Sequence, residues 1–125
     1  MIEDAQDTRE LYALELELAG FIVWQAASGE EGLDKVRHLR PDVIVLDLML
    51  PGLDGFSVAR VVRALEDDRK AAIIAVSALS SEPLRTEALG AGCDSFLRKP
   101  VDAATVVDRA RFLLARRQTA GLPSG

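Results

Sequence analysis

The chain has 125 residues, 49% of them hydrophobic, which is enough to build one ordinary domain around a single core. Its 20 acidic and 15 basic residues give a formal net charge of −5, which weighs against direct binding to nucleic acid and against a polybasic membrane anchor. The single cysteine excludes an internal disulfide, and no signal peptide or long apolar run is visible, so we expect a cytoplasmic domain.

The first predicted helix follows an acidic start. Its apolar positions recur at helical spacing, at Leu11, Leu14 and Leu18. Asp7 is a candidate N-cap, Glu10 completes a capping box with it, and Gly20 provides a stop. The stretch Leu14–Leu18 also alternates like a strand, but Leu, Glu and Ala are strong helix formers and favour the helix.

Strands and helices alternate along the rest of the chain. Apolar runs rich in β-branched residues predict strands at Phe21–Ala26, Val43–Leu48, Ile73–Ser77 and, more weakly, Ser95–Arg98. Helical patterns separate them at Gly29–Leu39, Phe56–Leu65, Glu82–Leu89 and Ala103–Arg117. Because both faces of these strands are apolar, we expect a doubly wound parallel α/β sheet in one domain over residues 1–117. Residues 118–125 have linker composition and are predicted to form a flexible tail.

Polar side chains follow the predicted strands at their carboxyl ends, where ligands bind in such sheets. Asp47 follows the aliphatic run Val43–Leu46, Ser77 ends the next strand and Lys99 follows the last one. The adjacent acids Glu3 and Asp4 stand at the start of the chain. We therefore predict that these five side chains share one pocket.

The chemistry of that pocket favours phosphoryl transfer. Clustered carboxylates without His or Cys are hard oxygen ligands, which suit Mg²⁺. A divalent cation together with an ammonium can hold a phosphoryl group from two sides. The Asp47 carboxylate could then attack phosphorus and form an acyl phosphate.

From Ile2 to about Arg117 the chain resembles the response-regulator receiver domain of two-component signalling. The resemblance rests on Glu3-Asp4, on residues 43–55 (VIVLDLMLPGLDG), on Ser77-Ala78 and on residues 92–100 (GCDSFLRKP), which match in order and spacing. It implies a flavodoxin-like, five-stranded parallel sheet in the order 2-1-3-4-5, with helices on both faces.

The resemblance also implies a role for each site residue. Asp47 would accept a phosphoryl group from a histidine kinase or a phosphotransfer protein, and Lys99 would pair with it. Asp4, Asp47 and the backbone carbonyl of Met49 would bind Mg²⁺ directly, with Glu3 acting mainly through water. The family is a phosphoacceptor signalling domain and not an enzyme that turns over an external substrate.

A second group of residues would carry the switch. Ser77 would turn inward to hydrogen-bond the phosphoryl group, and Phe96 would follow into the space released. The Lys99–Pro100 bond is expected to be cis, as in the family. Met49 and Leu79 lie two residues beyond Asp47 and Ser77, where their apolar side chains should hinder hydrolysis of the acyl phosphate.

Two other function classes remain open on the residues. A haloacid-dehalogenase-like hydrolase needs a second acid two residues after its nucleophile, and Met49 at that position counts against it. A pseudo-receiver, which would act as a protein-interaction module without phosphorylation, usually lacks an acid or the lysine. The sequence does not identify the output partner. The usual output surface carries four arginines, which would suit an acidic partner: Arg85, Arg98, Arg109 and Arg111.

The start of the chain is short for this pattern. In the family an apolar strand of several residues precedes the acid pair and lies in the middle of the sheet, whereas here only Met1 and Ile2 precede Glu3. We therefore expect that the first strand is largely missing and that the true chain starts several apolar residues upstream, Met1 being either a miscalled start or the boundary of a fragment. The alternative is that Met1–Glu3 pairs as a short strand and the fold survives, weakened.

Overall fold

The computed structural model describes residues 1–65 and 71–120 and alternates helices with parallel strands. The helices are α1 (Gln6–Leu18), α2 (Gly29–Leu39), α3 (Gly55–Leu65), α4 (Glu82–Gly90) and α5 (Ala103–Ala120). The strands are β1 (Val43–Asp47), β2 (Ala72–Ser77) and β3 (Ser95–Arg98), which pair in parallel in the order β1-β2-β3. The predicted doubly wound α/β pattern is thereby confirmed in its element order.

The sheet has three regular strands among the described residues, and not the five that were predicted. Ile2 extends it by single bridges, parallel to Leu46 of β1 on one side and to Ala26 on the other. The Met1–Glu3 segment therefore lies between β1 and the segment that contains Ala26. The N-terminal residues do pair, as the alternative interpretation required, and the five-strand order itself stays a prediction.

The predicted strand Phe21–Ala26 is wrong as a regular strand. Only Ala26 forms a bridge, because in the described structure the neighbouring Met1–Glu3 segment pairs with it through Ile2 alone. Next to Met1, residues 21–25 and strand β1 lie on opposite sides of a cavity of about 540 Å³. Its lining includes apolar residues from 21–25, β1 and α5, among them Phe21, Val23, Val43, Val45 and Leu114.

Helices cover both faces of the sheet. Alternate residues of β1 and β2 point to opposite sides. Ile44 and Ile73 pack in a cluster with α2, α3 and α4, whereas Val45 and Ile74 pack with α1 and α5. All six residues of β2 are buried, as expected for a strand inside a doubly wound sheet. In the described part of the chain, no helix is long and apolar enough to cross a membrane.

Two helix boundaries differ from the prediction. Helix α1 has Ala5 as its N-cap without a side-chain bond, and Oε1 of Glu10 accepts from the side-chain Nε2 of Gln6 over 2.9 Å, so the predicted Asp7 capping box does not form. The stop at Gly20 is confirmed by its φ of 102°. Helix α5 continues to Ala120, so the predicted tail begins as helix, and residues 121–125 lie outside the described part.

Candidate functional site

The carboxyl ends of the strands meet at one edge of the sheet. The Leu48 amide donates to the Val76 carbonyl over 3.1 Å, and the Lys99 amide donates to the Ser77 carbonyl over 2.8 Å. On the other side the Asp47 amide donates to the Ile2 carbonyl over 3.0 Å. These backbone bonds hold Ile2, Asp47, Ser77 and Lys99 at the same edge of the sheet, as the sequence predicts.

Lys99 forms the centre of the site. Its Nζ lies 3.0 Å from Oδ2 of Asp47 and 3.0 Å from Oε2 of Glu3. Both carboxylates are buried, whereas the lysine side chain keeps 22% of its surface exposed. The predicted Asp47–Lys99 pair is present, and Glu3 contacts the lysine directly in addition. The Lys99–Pro100 bond is cis, as predicted.

Three carboxylates stand close enough to share a cation. One oxygen each from Glu3, Asp4 and Asp47 lies within 4.8 Å of the other two. Asp4 is exposed, so the cluster opens to solvent on its side. Hard oxygen donors without thiolate or imidazole are the donor set that Mg²⁺ prefers, and the described residues therefore fit this ion.

Burial and mutual contact shift two of the charges. Burial, followed by the close approach of the Asp47 carboxylate, raises the pKa of Glu3 above its ordinary value. Burial on its own would lower the pKa of Lys99, but the hydrogen bonds that Lys99 donates to Glu3 and Asp47 raise it. The lysine is therefore a stable cation, and any further positive charge near the crowded carboxylates would stabilise them electrostatically.

The backbone after Asp47 orients its carboxylate. The Met49 amide donates to Oδ1 of Asp47 over 2.9 Å, while the role of the Met49 carbonyl as a Mg²⁺ ligand stays a prediction. At the end of β2, Oγ of the buried Ser77 accepts from the Leu79 amide over 3.2 Å. Ser77 forms no hydrogen bond with Asp47 in the described part of the chain.

The predicted switch aromatic is packed inside the protein. Phe96 is 7% exposed in β3 and belongs to the same cluster as Ile44 and Ile73. The guanidinium of Arg85 in α4 lies 6.0 Å from the centre of the Phe96 ring, within the range of a cation–π contact. The ring is thus connected to the α4 surface, which the sequence alone did not indicate.

Sequence reasoning missed two residues of α1 that contact the site's backbone. Nη1 of Arg9 donates to the Glu3 carbonyl over 3.0 Å, and the Tyr12 hydroxyl donates to the Val101 carbonyl, two residues after Lys99. Both bonds end on backbone carbonyls, which carry no residue-specific signal. The only available signal was that both residues lie within three turns of the acid pair on a predicted helix.

Comparison with known proteins gives one consistent result. The family model described as "Response regulator receiver domain" matches residues 1–111. The chain is 40% identical over 120 residues to transcriptional regulatory protein CseB of Streptomyces coelicolor, covering 96% of this chain and 50% of that protein. It is 39% identical over 117 residues to transcriptional regulatory protein PrrA of Mycobacterium leprae, covering 94% and 49%. The chain spans about half the length of the curated relatives it matches.

A solved structure agrees with this result. The receiver domain of the Francisella response regulator 1452 superposes with a TM-score of 0.85 at 29% identity, covering 93% of this chain and 94% of that one.

Proposed function

The chain belongs to the response regulator receiver domain family of two-component systems, and from that membership we propose that Asp47 is its phosphoacceptor. Receiver domains are signalling domains and not classical enzymes. In this proposal a histidine kinase or a phosphotransfer protein supplies the phosphoryl group, and phosphorylation changes the binding of an output partner in the cytoplasm.

One observation carries the proposal: a single lysine lies 3.0 Å from two buried carboxylates at the open end of a parallel sheet. In the proposed reaction a carboxylate oxygen of Asp47 attacks phosphorus and forms the O–P bond. The P–N bond of the phosphohistidine breaks, and its electron pair stays on the imidazole nitrogen, which takes a proton from solvent. Lys99 offsets the negative charge of the transferred oxygens.

The acid cluster would hold Mg²⁺ through Asp4, Asp47 and the Met49 carbonyl, with Glu3 acting through water. When bound, the ion supplies positive charge beside the transferring phosphoryl group. The direct contact between Glu3 and Lys99 supports the indirect role of Glu3, because one of its oxygens is already occupied by the lysine.

The proposed switch uses Ser77 and Phe96. Ser77 would exchange its contact with the Leu79 amide for one with the phosphoryl group, and Phe96 would move into the space that the hydroxyl leaves. The contact between Phe96 and Arg85 supports this assignment, because any movement of the ring also changes the environment of a charged residue on α4.

The extent of the unit and its partners complete the proposal. We propose that residues 1–117 form the receiver unit, that Ile2 occupies the place of the first strand in the order 2-1-3-4-5, and that the tail after Arg117 begins as a continuation of α5. The relatives are named transcriptional regulators, but this chain spans about half of their length and carries a net charge of −5. We therefore propose that it contacts proteins and not nucleic acid directly, with its arginine-bearing surface suited to an acidic partner.

The test is the covalent state of Asp47. Incubating the chain with acetyl phosphate and Mg²⁺ should add one phosphoryl group by intact mass, and Asp47→Ala should abolish the gain. Asp34→Ala is the matched control, because this aspartate is 70% exposed on α2 and should leave the gain unchanged. Absence of a gain in the wild-type chain would contradict phosphorylation and identify a pseudo-receiver.

The lifetime of the acyl phosphate provides a second measurement. Met49 and Leu79 are 50% and 53% exposed at the rim of the site, where their apolar side chains hinder the approach of water. We expect slow loss of the phosphoryl group in Mg²⁺, and faster loss when both residues are replaced by Asn. A half-life of seconds in the wild-type chain would contradict this prediction.

A further inference from the structure

Arg9 lies outside the acid cluster but contacts the peptide bond between its first two members. Nη1 of Arg9 donates to the Glu3 carbonyl over 3.0 Å, across the first turn of α1. That carbonyl belongs to the planar peptide unit that joins Glu3 to Asp4. A hydrogen bond to the oxygen therefore restrains the plane from which the Asp4 side chain departs.

Asp4 has few other restraints. Its side chain is exposed, and it forms no hydrogen bond or ion pair with another residue in the described part of the chain. The next residue, Ala5, is a helix N-cap without a side-chain bond. The direction of the Asp4 carboxylate therefore depends on its own backbone.

The other two acids are held differently. Glu3 is buried and contacts Lys99, and its second oxygen accepts from the Ala5 amide over 3.3 Å. Asp47 accepts from the Met49 amide and from Lys99. Of the three carboxylates, only that of Asp4 lacks a side-chain partner among the described residues, and it is the one that Arg9 can orient through the backbone.

From this geometry, and resting on the proposed function, we propose that Arg9 is a positioning residue for the divalent cation. Arg9 holds the Glu3–Asp4 peptide plane so that the Asp4 carboxylate stays within reach of Glu3 and Asp47. Groups that orient a metal ligand without touching the metal commonly contribute about tenfold or more to metal affinity. The guanidinium suits this task, because it carries fixed donors that do not compete for the cation.

The experiment measures cation binding directly. Titration calorimetry of the full chain with Mg²⁺ should give binding about tenfold weaker in Arg9→Gln than in wild type. Phosphorylation by acetyl phosphate should need correspondingly more Mg²⁺ for half its maximal rate, while the rate at saturating Mg²⁺ stays unchanged. Arg9→Lys keeps a donor and the charge, and should recover part of the affinity.

Arg111 provides a matched control. Its Nη2 also donates to a backbone carbonyl, that of Ala19, over 2.9 Å, but at the opposite end of α1. Arg111→Gln should leave Mg²⁺ binding at the wild-type value, and the melting temperatures of all variants should show that each is folded.

The outcomes separate the two proposals. Mg²⁺ binding by Arg9→Gln within about twofold of wild type, or an equal loss in Arg111→Gln, overturns the role of Arg9 and leaves the proposed function standing. A lower saturated rate with unchanged binding overturns it as well. A wild-type chain that neither binds Mg²⁺ nor gains a phosphoryl group overturns the proposed function itself.

Discussion

Strand β1 and the Met1–Glu3 segment both end in a buried carboxylate of the same site, but the protein holds them in different ways. Five consecutive residues of β1 pair with β2, whereas Met1–Glu3 is held by the single bridges of Ile2 and a few backbone bonds. The position of Asp47 is thus set by a continuous ladder. The position of the Glu3–Asp4 pair relies on side chains, chiefly Lys99 and Arg9.

The largest predicted effect comes from lengthening the Met1–Glu3 segment, which has fewer backbone pairs than β1. Three aliphatic residues placed before Met1 would enter the cavity and pair with Val43 and Val45, because the Val45 carbonyl already accepts from Ile2 on that side of β1. Burying them should add roughly 5–9 kcal/mol to the free energy of unfolding. A melting curve should then shift upward by about 15 °C or more. Three Ser or Gly residues serve as the control, and an equal shift for both would contradict the prediction.

Substitutions at two glycines test how firmly β1 and the Met1–Glu3 segment are each held. A Cβ at Gly55 would lie 2.5 Å from the Asp47 carbonyl oxygen and 2.5 Å from the Leu48 Cα, which are backbone atoms that cannot move alone. A Cβ at Gly32 would lie 2.4 Å from Cδ1 of Ile2, the flexible end of a side chain beside the cavity. We expect Gly55→Ala to cost about 3 kcal/mol and Gly32→Ala about 1 kcal/mol in urea unfolding. Equal losses would show that Met1–Glu3 is held as firmly as β1.

A pH dependence of the Met1–Glu3 region is also expected. Burial, with a smaller effect of Lys35, lowers the pKa of the Met1 ammonium from 8.0 to about 6. The unfolded chain therefore binds the proton more tightly, so stability is fully present above pH 8 and falls as the pH drops towards 6. We expect a loss of about 2 kcal/mol in urea unfolding. Acetylation of the amino group should remove this part of the pH dependence, and an unchanged profile would contradict the assignment.

The strand pattern predicted one side of the sheet better than the other. Val43–Leu48 and Ile73–Ser77 were recognisable because both faces of each run are apolar, and both form strands. Phe21–Ala26 has the same composition but pairs only at Ala26. Apolar content indicates that a segment tends to be buried. Strand formation also requires a neighbouring segment to pair with, and residues 21–26 themselves do not show how long that neighbour is.

The candidate site was predictable to a similar degree. Strand-end positions were sufficient to place Asp47, Ser77 and Lys99 together, since parallel strands end at one edge. The double contact of Lys99 and the contact of Arg9 were not predictable, because they depend on side-chain conformations and on a backbone acceptor.

The two contacts of Lys99 also determine how many hydrogen bonds it can still form. An ammonium has three N–H donors, and Glu3 and Asp47 accept two of them. Among the residues that the structure describes, none accepts the third. In the proposed reaction a phosphoryl oxygen can therefore bind Lys99 by addition, without displacing either carboxylate, so that the arriving group meets a donor that is already in place.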